Sequence, residues 1–252
     1  MLKLKKLDDV IDSRGLKVLV YGNAGVGKTR LIGSLPGRIL IASAEAGLLS
    51  LTSLADSKRI LVVEIASVDG LREVYSHVKG ASPGAYDWVV LDSISEIAEV
   101  CLTENKAKTK DPRQAYGAIQ DDVGSILRAF RDLDCGVYFS AKESREKDEA
   151  TGRVSYGISM PGSKLGPSVP YLFDEVFRLI VVDDKDEKGN IERVRWLQTA
   201  NDGKSAAKDR SGLLDPYEPA DLGAIAAKIR GARVPVQEKE ETPTIEDVGN
   251  AA

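Results

Sequence analysis

Gly22-Asn23-Ala24-Gly25-Val26-Gly27-Lys28-Thr29 fits the spacing G-x-x-x-x-G-K-[ST], and its reading decides the fold. Upstream, Leu16-Lys17-Val18-Leu19-Val20-Tyr21 is a short, mostly apolar, β-prone run. Downstream, Arg30-Leu31-Ile32-Gly33-Ser34-Leu35 can open a helix. Strand, glycine loop and helix are the context in which this pattern holds phosphate. Glycines let the backbone curl until successive N–H groups point at one anion. The helix N-terminus adds partial positive charge. On this reading Gly22, Asn23, Ala24, Gly25, Val26, Gly27, Lys28, Thr29 and Arg30 contact ATP. Lys28 reaches the β- and γ-phosphates, and the Thr29 hydroxyl sits on Mg²⁺. A glycine-rich turn that binds nothing has no need of the Lys-Thr pair or of both flanks.

Outward from the loop, apolar runs alternate with helical spacing. Residues 38–42, 59–65, 86–93 and 136–141 read as strands, continuous in the way of strands buried on both faces of a parallel sheet. Val68 to Lys79, about Ile94 to Leu102, and Gln114 to Leu133 read as helices, with a weaker one over Ala46 to Ala55. Residues 103–113 are a polar, lysine-rich connection, and 142–168 a long polar segment of the kind that is functional or disordered. Residues 174–182 and 191–199 alternate around a charged tip and read as a β-hairpin; Pro219 to Ile229 is a closing helix. The expected organisation is a lead-in over 1–15, one α/β domain over 16–230, and a disordered acidic tail over 231–252.

Composition narrows the class. The chain has 252 residues, 42% hydrophobic and 29% charged, as in a soluble globular protein. No apolar run approaches a membrane span, and the N-terminus has no signal-peptide core. Cys101 and Cys135 read as buried free thiols, which fits a reducing cytoplasm. The single histidine, His77, excludes multi-histidine metal sites. A net charge of −4 lacks the footprint of a dedicated duplex-DNA binder, so any nucleic-acid contact needs a local basic patch.

Two acids extend the site. The strand Trp88-Val89-Val90-Leu91 ends in Asp92, placed to hold Mg²⁺ behind the loop. Glu45 follows the strand 38–42 and is read in two ways: a general base for the attacking water, or a helix N-terminal acid favoured by the dipole. A strand intervening in sequence between the loop and Asp92 favours ATPases with an inserted strand over nucleotide kinases.

Together these motifs resemble the RecA-like recombinase core over roughly residues 16–200. They resemble in particular the core-only, RecA-like single-strand annealing proteins of bacteriophages. Ser34-Leu35-Pro36-Gly37, Ala44-Glu45-Ala46-Gly47-Leu48, Tyr86 to Ser93, Glu146 to Arg153 and Ala207-Lys208-Asp209-Arg210-Ser211-Gly212 carry that likeness. The resemblance implies a RecA-like P-loop core: a mostly parallel sheet, helices on both faces, and a C-terminal β-hairpin extension. It implies that Glu45 activates water and that Lys208 and Arg210 reach a neighbouring subunit's γ-phosphate, so the protein is an oligomer, ring or filament. It also implies single-stranded DNA as partner, with a single-strand-binding protein beside it, in a phage or prophage setting. The DNA segments would be 103–115, with Lys106, Lys108, Lys110 and Arg113, and 143–168, with Arg145, Lys147, Arg153, Lys164 and Tyr156 as a stacking ring. Lys142 stands where that family carries a sensor, and is also counted among the DNA-facing cations. A replication motor or loader ATPase, and a nucleotide-switched protein-binding module, are the alternatives.

Overall fold

β1 (Lys17–Gly22) is buried along its whole length inside a ten-stranded sheet. The computed structural model describes residues 4, 6, 15–45, 47–52, 54, 57–109, 111–185 and 191–231. Most of the lead-in, Ala46, Lys110, the hairpin tip 186–190 and the tail from 232 therefore lie outside the described residues.

The strands β2 (Ile39–Ser43), β3 (Ile60–Glu64), β4 (Trp88–Asp92), β5 (Gly136–Lys147), β7 (Glu175–Lys185), β8 (Ile191–Gln198) and β10 (Tyr217–Pro219) join β1 in the order β10-β8-β7-β1-β5-β4-β2-β3. The block from β7 to β3 is parallel, and β8 and β10 add antiparallel strands. β6 (Val154–Ile158) pairs with β5, and β9 (Lys208–Asp209) with β7. An inserted strand was expected, and it is present. In space it is β5, between β1 and β4, whereas the run read at 59–65 forms β3 at the sheet edge. That edge exposes Leu61, Val62 and Val63.

Alternation along the buried strands feeds two cores. Leu19, Val89, Leu91, Val137 and Phe139 face α2 (Val68–Gly80), α3 (Ile94–Lys108) and α4 (Pro112–Arg131), meeting Leu71, Ile97, Ile119 and Phe130. Val18, Val20, Ile41, Val90 and Tyr138 face the other way, against α1 (Lys28–Leu31) and α6 (Leu222–Gly231), which supply Leu31 and Ile225. Each such aliphatic or aromatic side chain contributes about 1.5–3 kcal/mol by burial. The three long helices start on identifiable caps. Ser67 accepts from the Gly70 N–H, Ser93 from Glu96 and Asp111 from Arg113, the last followed by Pro112 in the first turn.

Three expectations are corrected. The helix expected to stop near Leu102 runs on to Lys108, so Lys106 and Lys108 sit on its last turns and not in a loop. The Asn105 amide stitches this extension by donating to Cys101 O and Asp122 Oδ2 on α4. The long segment after residue 141 is largely ordered. β5 continues to Lys147 and turns at Asp148, whose carboxylate accepts from Ala150 and Thr151 N–H. The chain passes Gly152 at φ 69° and returns as β6, then forms α5 (Leu165–Ser168). Finally, the weak helix over 46–55 is a 3₁₀ turn, Gly47–Leu51.

Candidate nucleotide site

β1 ends at Gly22, packed so closely that a Cβ there would lie 2.7 Å from Leu179 O. Gly25 and Gly27 then take left-handed φ values of 72° and 107°, which admit glycine at no steric cost. α1 opens at Lys28, and the Tyr138 hydroxyl fixes its first turn by donating to Lys28 O at 3.0 Å. The Lys28 amine folds back over the loop, donating to Gly22 O at 2.8 Å and Asn23 O at 3.0 Å. Burial pulls its pKa down, opposed by the carboxylates of Glu45 and Asp92.

Asp92 closes β4 beneath the loop and is 1% exposed. Thr29 Oγ1 donates to its Oδ2 at 2.8 Å, and Ser140 on β5 donates to its Oδ1. Burial pushes the Asp92 pKa up, while the Ser140 and Thr29 hydroxyls draw it down. A hydroxyl and a carboxylate side by side at a desolvated anion cradle are hard oxygen donors, and they fit Mg²⁺. Glu45 leaves the end of β2. Ser93 Oγ donates to its Oε1 at 2.5 Å, and Lys142 Nζ is 3.9 Å away. Lys142 is opposite Gly22 in the β1–β5 register and is held by Glu96 Oε2 at 2.5 Å; that bond raises its pKa. One end of the sheet thus gathers a phosphate loop, its lysine, a hydroxyl–carboxylate pair and a second oriented carboxylate.

A family model for the AAA domain matches residues 14–211. The chain belongs to the AAA domain family. Nothing among curated proteins matches it. As an AAA domain it is a nucleotide-binding P-loop ATPase. Among the described residues no helix is long and apolar enough to cross a membrane.

Several residues of this AAA domain site escaped the sequence reading. Ser140 is one. Arg178 on β7 is another: its guanidinium forks onto Glu143 at 2.7 and 3.2 Å, with side chains 17% and 3% exposed. The same group lies 3.6 Å over the Tyr156 ring, and Tyr21, the residue before the loop, points its hydroxyl at Tyr156 O. The signal was an arginine inside the apolar run Val176-Phe177-Arg178-Leu179. Arg195 on β8 is the third, donating to Val26 O at 2.9 Å.

The remaining expected residues lie elsewhere on the AAA domain. Lys208 is half-buried, its amine donating to Pro170 O at 2.7 Å and Phe173 O at 2.5 Å. Arg210 points at the same turn, 3.3 Å from Asp174 Oδ1 and from Tyr171 O. Lys106, Lys108, Arg113, Arg145, Lys147 and Lys164 are exposed, and Lys110 lies outside the described residues. Three of the residues expected to face DNA have partners within the chain. Lys142 belongs to the nucleotide end, Tyr156 has one ring face covered by Arg178, and Arg153 donates to Gly203 O.

Proposed function

We propose that this AAA domain is a magnesium-dependent ATPase that acts on single-stranded DNA as an oligomer, promoting annealing or recombination in a phage or prophage setting. The observation that carries this reading is the course of β5. Its buried half meets Asp92 through Ser140 and places Lys142 near Glu45; its exposed half carries Arg145 and Lys147 out into the β5–β6 hairpin. One continuous strand therefore runs from the nucleotide end of the sheet to an exposed hairpin on which Arg145 and Lys147 share one strand face, with Glu146 on the other and Asp148 and Glu149 at the turn.

In this mechanism Lys28 leaves its loop carbonyls for the terminal phosphates. Glu45, oriented by Ser93 and Lys142, takes the proton of the attacking water. Thr29 and Asp92 would hold Mg²⁺, which neutralises charge on the phosphate oxygens. Arg210, half-exposed on the side chain, is the stronger candidate to complete a neighbour's site; Lys208 steadies the turn beneath it. Exposed cations on the hairpin and at the α3–α4 junction bind backbone phosphates, without base readout. A single-strand-binding protein fits as a further partner.

The test is ATP turnover with and without single-stranded DNA, with Lys28→Ala as control. Turnover stimulated by DNA and abolished in Lys28→Ala is expected. Binding to DNA should fall steeply with salt, and Arg145→Glu/Lys147→Glu should flatten that slope. Salt-insensitive binding, or none, removes the DNA reading while leaving the ATPase. Processive unwinding of a forked duplex turns the assignment to a motor. Mixing Lys28→Ala with Arg210→Ala subunits should restore part of the turnover; no recovery removes the shared site.

A further inference from the structure

Arg195 belongs to the C-terminal hairpin, 169 residues along the chain from Val26 in the phosphate loop. It lies opposite Val181 in the β7–β8 register, two residues beyond Leu179, whose carbonyl abuts Gly22. Along β8 it shares a face with Leu197, which packs in the same core as Val26, Leu31 and Ile32. That placement brings the guanidinium against the loop from outside. Its Nε donates to Val26 O at 2.9 Å, and a Cβ on Gly27 would fall 2.8 Å from Nε and 3.3 Å from Cδ. Gly27 is required by its φ of 107°, and the arginine lies over the space a Cβ would take.

The carbonyl and N–H of a trans peptide point in opposite directions. Holding the Val26 carbonyl toward β8 therefore turns the Gly27 N–H away from β8. On a loop whose N–H groups must converge on one anion, that fixes one of the donors before any ligand arrives. We propose that Arg195 is a positioning residue for the phosphate cradle, locking the Val26–Gly27 peptide so that the Gly27 N–H is preset for the phosphates of a nucleoside di- or triphosphate. This rests on nucleotide binding at the loop and adds to it a determinant outside the motif. A preset cradle loses less freedom on binding, so the gain is in affinity for ground state and transition state alike.

The experiment compares the parent chain with Arg195→Met, which keeps the stem and loses the donor. ADP affinity is measured directly, ATP turnover separately, and amide hydrogen exchange over residues 22–30 without nucleotide. Expected are about a 10-fold weaker affinity for ADP and a KM for ATP raised by the same factor with kcat within about twofold. Faster exchange in the nucleotide-free loop and an unchanged melting temperature are also expected. Arg195→Lys, whose amine still reaches the carbonyl, should recover part of the affinity. ADP affinity within about twofold of the parent in Arg195→Met, with loop exchange unchanged, overturns the assignment. Should Arg195→Met fold poorly, Arg195→Gln puts the same question with the same outcomes. A parent chain that binds no ADP removes the nucleotide reading itself; a parent that binds it as well as Arg195→Met removes only the role of Arg195.

Discussion

Asp92 closes β4 at one end of the sheet and Glu175 opens β7 at the other, and each is 1% exposed. Against Asp92 are two donors, the Thr29 and Ser140 hydroxyls, which lower its pKa; farther off Glu45 raises it and the Lys28 ammonium lowers it. Around Glu175 are acids. It faces Asp209 across the β7–β9 pair, Asp174 precedes it, and its Oε2 has no hydrogen-bond partner among the described residues. Burial first, then Asp209, push the Glu175 pKa to about 8. Near neutral pH Glu175 therefore keeps its proton beside Asp209, whose own pKa is low because it accepts from Ser211 and Leu214. Burial alone does not set the state of an acid; the neighbours do. An acid ringed by donors is prepared for a cation, whereas one ringed by acids is held neutral.

The contrast is open to attack at several points. The largest effect is expected at Arg178→Met, which leaves the buried Glu143 carboxylate without its fork. Loss of about 3–5 kcal/mol is expected in urea denaturation, against near-neutrality if the donor end can do without its partners. Asp92→Asn comes next. Turnover should fall by about 100-fold or more, while the nucleotide-free melting temperature holds or rises, because a desolvated charge has been removed. A large stability loss there would place Asp92 with the structural acids.

At Glu175 the test is pH. Its folded pKa is raised from an ordinary 4.5 to about 8, so the stability it contributes is fully present below about 4.5 and lost as pH rises through about 8. The decline is at most about 1.4 kcal/mol per pH unit. Denaturation at pH 5, 7 and 9 should show it in the parent and not in Glu175→Gln; parallel profiles would refute the retained proton. Ser140→Ala should give the smallest effect, a turnover loss of no more than about 10-fold. The acid limb of its pH–rate profile should move upward, since one of the two hydroxyls that lower the Asp92 pKa is gone.

What could be read in advance follows from range. The positions of the loop, Glu45 and Asp92 were legible because short spacing places each at a strand end. Ser140, Arg178, Glu143 and Arg195 were not, because their partners are set by sheet register between segments far apart in the chain: Arg195 to Val26, Arg178 to Glu143. The β5–β6 hairpin escaped for a different reason. Beyond Ala141 its residues are mostly polar and exposed or half-exposed, so no apolar alternation marks it. The α3 extension was hidden by its lysines, which are compatible with the exposed face of a helix whose other face buries Cys101 and Leu102.

β5 has mechanical consequences as well as chemical ones. From Val137 to Phe139 it is paired on both sides, and β1 accompanies it to Lys142. At Glu143 the Arg178 fork grips it, and from Arg145 onward it projects with only β6 alongside. That is a cantilever with its clamp one residue beyond Lys142. A load on the free end bends the strand at the clamp, so it falls first on the Glu143–Arg178 fork, one residue short of the ammonium held between Glu96 and Glu45.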